Sequence, residues 1–109
     1  MTINERIKTA VEPIVPVCVP DLYDGEAQEY CTFQYSQIPM AHGDNAPHAI
    51  RYLVQLHYFL PSGESPMRKR RELCRALLAA DMTYPTVENA SDETGQHYVI
   101  ECEAVDGEV

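Results

Sequence analysis

The feature that most constrains the fold is an eleven-residue segment with strand alternation, Ile50–Leu60 (I-R-Y-L-V-Q-L-H-Y-F-L). Its even-numbered positions are all aliphatic or aromatic, and the opposite face is partly apolar through Leu53 and Phe59. Such a pattern predicts a β-strand with one buried face, long enough to be the central strand of a sheet. Pro61, Ser62 and Gly63 predict its end.

Shorter segments on both sides predict the other elements. Thr2 is expected to cap a first helix, with Glu5 completing a capping box and Pro13 ending the helix. Ser65 and Pro66 predict the start of a second helix, as a hydroxyl N-cap followed by proline at the first helical position. The apolar side of that helix is expected to carry Met67, Leu73, Cys74, Leu77 and Leu78. Four further strands are predicted over Val15–Val19, Tyr30–Ser36, Thr83–Asn89 and His97–Ala104.

The element order α-β-β-β-α-β-β predicts an α+β fold: a mostly antiparallel sheet of four to five strands, with two helices packed on one face. A length of 109 residues suits a single domain over residues 1–109. Asp92–Gly95 predicts a tight turn before the last strand. The acidic tail, residues 105–109, is expected to fray.

The segment Ile38–Ala49 (I-P-M-A-H-G-D-N-A-P-H-A) carries two prolines and a cluster of turn residues, which indicates a long, irregular, projecting loop. His42, Asp44, Asn45 and His48 form the predicted contact loop. Imidazole and carboxylate groups suit transition metals, but the spacing matches no metal motif, so no metal site is predicted.

Charge is distributed unevenly along the chain. It has 17 acidic and 8 basic residues, a net charge of −9, which argues against specific or general nucleic-acid binding. Met67–Arg75 holds 5 cations and 1 acid, a local charge of +4, and the remaining chain has 3 cations and 16 acids, or −13. One basic patch on an acidic body is therefore expected.

Other features of the composition indicate the cellular compartment in which the protein is expected to reside. No apolar run approaches the ~18 residues that a membrane-spanning helix needs, and no secretory signal is evident, so we expect a soluble protein that stays where it is made. The 4 cysteines form no C-x-x-C pair, which favours buried free thiols in a reducing compartment.

Motifs for catalysis are absent from the sequence: there is no G-x-S-x-G, phosphate loop or H-E-x-x-H. His57 and His97 are interpreted as histidines within a sheet. Glu101 and Glu103 share one strand face, which is either a solvated surface or an acid site. We expect no enzymatic activity, no catalytic residue and no cofactor.

Arg68, Arg71 and Arg75 recur at helical spacing and so line one stripe of the second predicted helix. The interpretation that assigns no function to this stripe is a helix face exposed to solvent. However, cations in the first turn lie at the unfavourable positive end of the helix dipole, which suggests that a partner uses them. The acidic body of a second copy is the nearest such partner, and a basic-to-acidic contact is head-to-tail and can close into a ring. The predicted subunit-interface residues are Arg68, Lys69, Arg71, Arg75, Glu101 and Glu103.

The element order, together with Asp21–Phe33, Arg51–Phe59 and Asp92–Glu101, resembles the small tail-completion or tail-terminator proteins of long-tailed bacteriophages and prophages. This resemblance implies a structural virion protein that forms a ring, commonly six-fold, on the tail tube and helps to join tail to head. The implied partners are further copies of the chain, the tail tube protein and the head–tail connector protein. The implied location is the virion tail, assembled in the bacterial cytoplasm. A head-side connector or head-completion protein and a small non-enzymatic α+β binding module are the alternatives.

Overall fold

Five strands form one sheet in the computed structural model, which describes residues 2–43 and 46–106. The helices are α1 (Ile3–Val11) and α2 (Met67–Ala79). The strands are β1 (Cys18–Pro20), β2 (Tyr30–Gly43), β3 (Ala46–Leu60), β4 (Thr86–Asn89) and β5 (Gln96–Asp106). The sheet order is β1-β2-β3-β5-β4. Only the β1–β2 pair is parallel, so the α+β fold and the central position of β3 are confirmed.

Strand alternation places the core on one face of the sheet. Buried side chains come from the even-numbered positions of β3 and β5, including Leu56, which faces Ile100 across the ladder. Ile7 of α1 and Leu77 of α2 are fully buried against them. Both helices therefore cover the same face, as predicted, because each has one apolar stripe to bury.

The opposite face of the sheet is covered by neither helix, and we call it the open face. Its side chains come from even-numbered positions of β2 and odd-numbered positions of β3 and β5. They include Tyr30, Leu53, His57, Phe59, His97, Glu101 and Glu103.

The two helices differ in how they begin. The Thr2 hydroxyl accepts a hydrogen bond from the Glu5 N–H at 3.2 Å, and α1 ends at Val11, which confirms the predicted limits. In α2 the predicted Ser65 cap is wrong, because Pro66 is the capping residue and no side chain caps the helix. The Pro66 carbonyl accepts from the Arg70 N–H instead.

The predicted irregular loop at Ile38–Ala49 is also wrong, because β2 and β3 continue through most of it as an antiparallel hairpin. Beyond Phe33, β2 pairs only with β3, and before Ile50, β3 pairs only with β2. Each strand of this extension therefore has a free edge, and strands with a free edge tolerate proline. Pro39 is accommodated there for that reason, because odd-numbered residues of β2, such as Cys31, direct their backbone nitrogen away from β3.

The remaining strand limits shift by a few residues. The strand predicted at Val15–Val19 is shorter, because β1 covers only Cys18–Pro20. At the other end, Val105 and Asp106 belong to β5 and pair with β3. The predicted fraying of the tail is therefore wrong for these two residues, since a long neighbouring strand is available to pair with them. Residues 107–109 lie outside the described residues.

Candidate functional site

The exposed side of α2 carries the predicted arginine stripe. Leu73, Cys74 and Leu77 point into the core, and helical spacing places Arg68, Arg71 and Arg75 on exposed sides of the helix. Met67 and Leu78 were predicted on the apolar side, but they are 54% and 49% exposed. They flank the stripe because the apolar side contacting the sheet is narrower than expected.

Intramolecular partners do not neutralise this stripe. Arg68 lies 4.0 Å from Glu72 one turn on, an exposed pair that contributes little to stability. Within the part of the chain that the structure describes, Arg71 and Arg75 form no ion pair. Their charge is therefore available to a partner.

Lys69 points away from the stripe, toward a half-buried polar network. Its ammonium is 2.5 Å from one oxygen of Glu29, whose other oxygen accepts a hydrogen bond from the Tyr58 hydroxyl at 2.7 Å. Burial raises the pKa of the Glu29 carboxyl, but the bonds from Lys69 and Tyr58 outweigh it and leave that pKa below its ordinary value. Burial, and then the bond to Glu29, raises the pKa of Tyr58. Lys69 thus fastens α2 to the start of β2.

Arg70 lies between the stripe and the core. Its guanidinium is 4.6 Å from the centre of the Tyr98 ring, a cation–π contact, and it donates to Met67 Sδ at 3.7 Å. Its Nε is buried and has no hydrogen-bond partner in the described residues. The side chain follows the apolar surface and keeps its charge near solvent, as long cationic side chains beside an apolar surface do.

Acidic groups collect on the open face. Glu101 and Glu103 project from β5 on the side away from both helices, as their alternation with Ile100 and Cys102 predicted. Glu103 pairs with Arg51 at 3.1 Å, whereas Glu101 has no ion pair among the described residues. A shallow groove of about 890 Å³ runs across this face and is bordered by both carboxylates, Leu53 and Asp21.

Five of the six predicted interface residues therefore fall on two surfaces, and the sixth, Lys69, lies on neither because it bonds to Glu29 within the chain. The arginine stripe lies on the helical layer, and Glu101 and Glu103 lie on the opposite side of the sheet. Surfaces of opposite charge on opposite sides of one subunit cannot meet within that subunit, but they can meet between copies arranged head to tail.

The predicted contact loop is only partly described. Asp44 and Asn45 lie outside the described residues. His42 belongs to β2, where its backbone pairs with Pro47, and His48 belongs to β3. Among the side chains that the structure describes, which do not include those of residues 39–49, no three from histidine, cysteine, aspartate or glutamate are grouped to hold a metal ion.

A pair of histidines on the open face was not predicted. His57 Nδ1 and His97 Nε2 are 2.8 Å apart and share a hydrogen bond. Phe59 stacks on His97 at a centroid distance of 4.2 Å and on Tyr30 at 4.7 Å. Burial lowers the pKa of both histidines; His97 lowers that of His57 further, while Glu101 and Asp92 act in the opposite direction. Only the strand register, with Phe59 opposite His97, brings the pair together.

The four cysteines are buried free thiols, as predicted. Burial, with a contribution from nearby Glu12, raises the pKa of Cys18 to about 12. Burial also raises the pKa of Cys102 to about 11, and those of Cys31 and Cys74 above their ordinary value. Thiols in this state are protonated near neutral pH and are poor nucleophiles.

The chain matches no known protein-family model and no curated protein. Among the described helices, none is long and apolar enough to cross a membrane. Function must therefore be argued from the surfaces themselves.

Proposed function

We propose that this chain is a structural subunit that assembles head to tail into a homo-oligomeric ring, with the arginine stripe of one copy on the acidic open face of the next. The observation that carries the proposal is the placement of Arg71 and Arg75, unpaired within the described residues, on the side of the molecule opposite Glu101. Each copy would contribute one stripe and one acidic face, which makes the contact heterologous, and a heterologous contact closes into a ring when the rotation between copies allows it.

The ring is proposed to cap a phage tail tube and to present a docking surface to the head. This part rests on the resemblance of Asp21–Phe33, Arg51–Phe59 and Asp92–Glu101 to tail-terminator proteins, and a six-fold ring is the form that the resemblance implies. The hairpin extension at Pro39–Gly43 and Ala46–Ala49 protrudes beyond β5, and it would supply the contact to tube or connector.

Light scattering coupled to size exclusion, at low and raised salt, tests the assembly. We expect a discrete multimer that loosens as salt rises, because exposed charge pairs are screened within about 10 Å at 0.1 M salt. Arg71→Glu combined with Arg75→Glu is expected to weaken association at least ten-fold, since it places like charges opposite each other.

Two further variants control this experiment. Lys8→Glu reverses a charge on α1, outside both surfaces, and is expected to leave association unchanged. Glu101→Arg is expected to weaken association alone and to restore it when mixed with the Arg71→Glu, Arg75→Glu chain. A monomer at every salt concentration would contradict self-assembly and favour the binding module.

The phage role is tested separately from self-assembly. Genes for a major tail protein and a tape-measure protein on either side of this gene, together with recruitment of the purified chain to the end of the tube formed by that tail protein, would support it. If the ring forms but electron micrographs show that it does not bind the tube, the terminator role is contradicted and the head-side alternative is favoured.

A further inference from the structure

The largest exposed fraction of any large apolar side chain in the described residues belongs to Leu22, at 88%. Single exposed leucines are common, but this one is held out by an ordered turn. The N–H of Asp21 donates to the Phe33 carbonyl at 2.9 Å, and the N–H of Leu22 donates to the Pro20 carbonyl at 2.8 Å. These bonds fix the backbone on both sides of the exposed side chain.

The turn also contains a strained residue and a close approach. Asp21 has a φ of 62°, a left-handed conformation that is unfavourable for a residue with a Cβ. The Tyr23 ring packs against the Tyr30 ring at a centroid distance of 4.6 Å and a tilt of 40°, and its hydroxyl accepts a hydrogen bond from the Ala27 N–H. A Cβ on Gly25 would collide with that hydroxyl, so glycine is needed for the chain to wrap around the ring. The segment Asp21–Asp24 is thus a rigid acidic knob with Leu22 at its tip.

A complementary surface lies beside α2 and β4. A groove of about 180 Å³, the α2–β4 groove, is lined by Met67, Arg70, Arg71, Cys74, Tyr84 and Val87. It is smaller than the roughly 300 Å³ at which small-molecule sites begin, so it suits a side chain better than a cofactor. Met67 and Tyr84 are more than half exposed, and two arginines border the apolar surface.

The knob and the groove lie at opposite edges of the sheet. Asp21–Asp24 follows β1, the first strand in the sheet order, and the groove borders β4, the last. Four strand spacings of about 4.8 Å place these edges roughly 19 Å apart, so Leu22 cannot reach the groove of its own chain. Asp21 also borders the open face, which places the knob at the rim of the surface proposed to receive α2 of the next copy.

We propose that Leu22 of one copy inserts into the α2–β4 groove of the next copy, with Asp21 and Asp24 facing Arg70 and Arg71. This inference rests on the proposed self-assembly and identifies the apolar anchor of its contact. Charge complementarity selects a second copy as the occupant: an acidic turn with an apolar tip meets an apolar groove bordered by arginines. An apolar anchor surrounded by charged pairs is the arrangement expected of an interface hot spot.

Substitutions at Leu22 test the anchor by light scattering over a concentration series. Leu22→Ser is expected to weaken association about ten-fold or more, and the conservative Leu22→Met variant is expected to restore most of it. Unchanged thermal unfolding of both variants, followed by circular dichroism, would exclude a folding defect, since Leu22 contributes almost nothing to the core.

Crosslinking tests the pairing directly. A tagged Leu22→Cys chain is mixed with an untagged Met67→Cys chain and treated with a short bismaleimide, to which the four native buried thiols should be inert. We expect a crosslinked heterodimer, and none when Thr9→Cys on the exposed side of α1 replaces Leu22→Cys.

The outcomes separate this inference from the ring. A wild-type multimer that Leu22→Ser leaves intact, with no specific crosslink, would overturn the knob-and-groove contact and leave the ring standing. A monomer that still crosslinks between Leu22 and Met67 would support the contact and contradict the stable ring. A monomer without the crosslink would overturn both.

Discussion

Two polar clusters show how single residues connect layers of this fold. Glu29 accepts bonds from Lys69 on α2 and from Tyr58 on β3. On the other side of the sheet, His57 and His97 share one hydrogen bond. When both rings are neutral, one ring donates its N–H and the other accepts, so the hydrogen bond is satisfied. If both rings were charged, two N–H donors would face each other at this short distance and the two positive charges would repel. The histidine pair is thus favoured when at most one ring is charged.

The histidine pair predicts a pH dependence of stability. The pKa of both histidines lies below the ordinary value of 6.5 in the folded chain, so the unfolded chain binds more protons near pH 6. The free energy of unfolding is therefore expected to be unaffected by the pair above about pH 7 and to fall as the pH drops through 6.5.

Urea unfolding at pH 8 and pH 5.5 measures this effect. The double variant His57→Gln, His97→Gln should lose less stability between the two pH values than the native chain. The lowered pKa of Glu29 affects the free energy of unfolding only when the pH falls below the ordinary glutamate pKa of 4.5. Its contribution therefore falls outside the range from pH 5.5 to pH 8. Equal losses in the native chain and the variant would contradict the prediction.

At the scale of one element, α2 separates a core-facing side from an exposed side within the rotation of about 100° between consecutive residues. Neighbouring leucines show the division, because Leu77 is 0% exposed and Leu78 is 49% exposed. The first turn of the helix holds no acid and the helix has no side-chain cap. Packing against the sheet, rather than its own terminus, must therefore supply most of its stability.

Alanine substitutions at these two leucines check this division. Leu77→Ala is expected to lower the free energy of unfolding by about 2–5 kcal/mol, because it leaves a cavity in the core. Leu78→Ala is expected to change it by less than about 0.5 kcal/mol. Urea denaturation of both variants measures the difference, and similar losses would show that Leu78 is part of the core after all.

The whole molecule measures 54 × 25 × 23 Å, and its long axis follows from the β2–β3 hairpin. The 15 residues of β3 span roughly 50 Å at about 3.4 Å per residue. Residues Ile50–Leu60 of the hairpin pair with β5, and the hairpin's core side chains lie in this part and in the β2 residues paired with it, such as Cys31 and Phe33. The remainder is a two-stranded ribbon, which adds reach but little stability.

Shortening the hairpin tests whether the ribbon is separable from the fold. Residues 41–48 are replaced by Asn-Gly, which makes a two-residue turn between the paired positions Met40 and Ala49. The free energy of unfolding is expected to change by less than about 1 kcal/mol, and the radius of gyration from X-ray scattering is expected to fall below that of the full chain. A large loss of stability would show that the ribbon supports the core. If the ribbon contacts the tail tube, recruitment to the tube should be lost while self-association persists.

The element types, the central strand and the fold class follow from the amino-acid sequence alone. The alternation in Ile50–Leu60 and the apolar spacing of both helices are local patterns, and burial of one face follows from them. The uneven charge and the buried thiols also follow from the sequence. The continuation of the hairpin through the segment that contains Pro39 and Pro47 did not follow, because it depends on the pairing of β2 with β3.

Which side chains contact each other depends on how the elements pack in three dimensions. The pairing of His57 with His97 depends on strand register, and the contact of Lys69 with Glu29 depends on how α2 is placed over the sheet. The exposure of Leu22 and the groove beside β4 depend on the turn after β1 and on the order of strands in the sheet. These contacts join residues that are far apart in the chain, and local patterns in the sequence do not predict which distant residues come together.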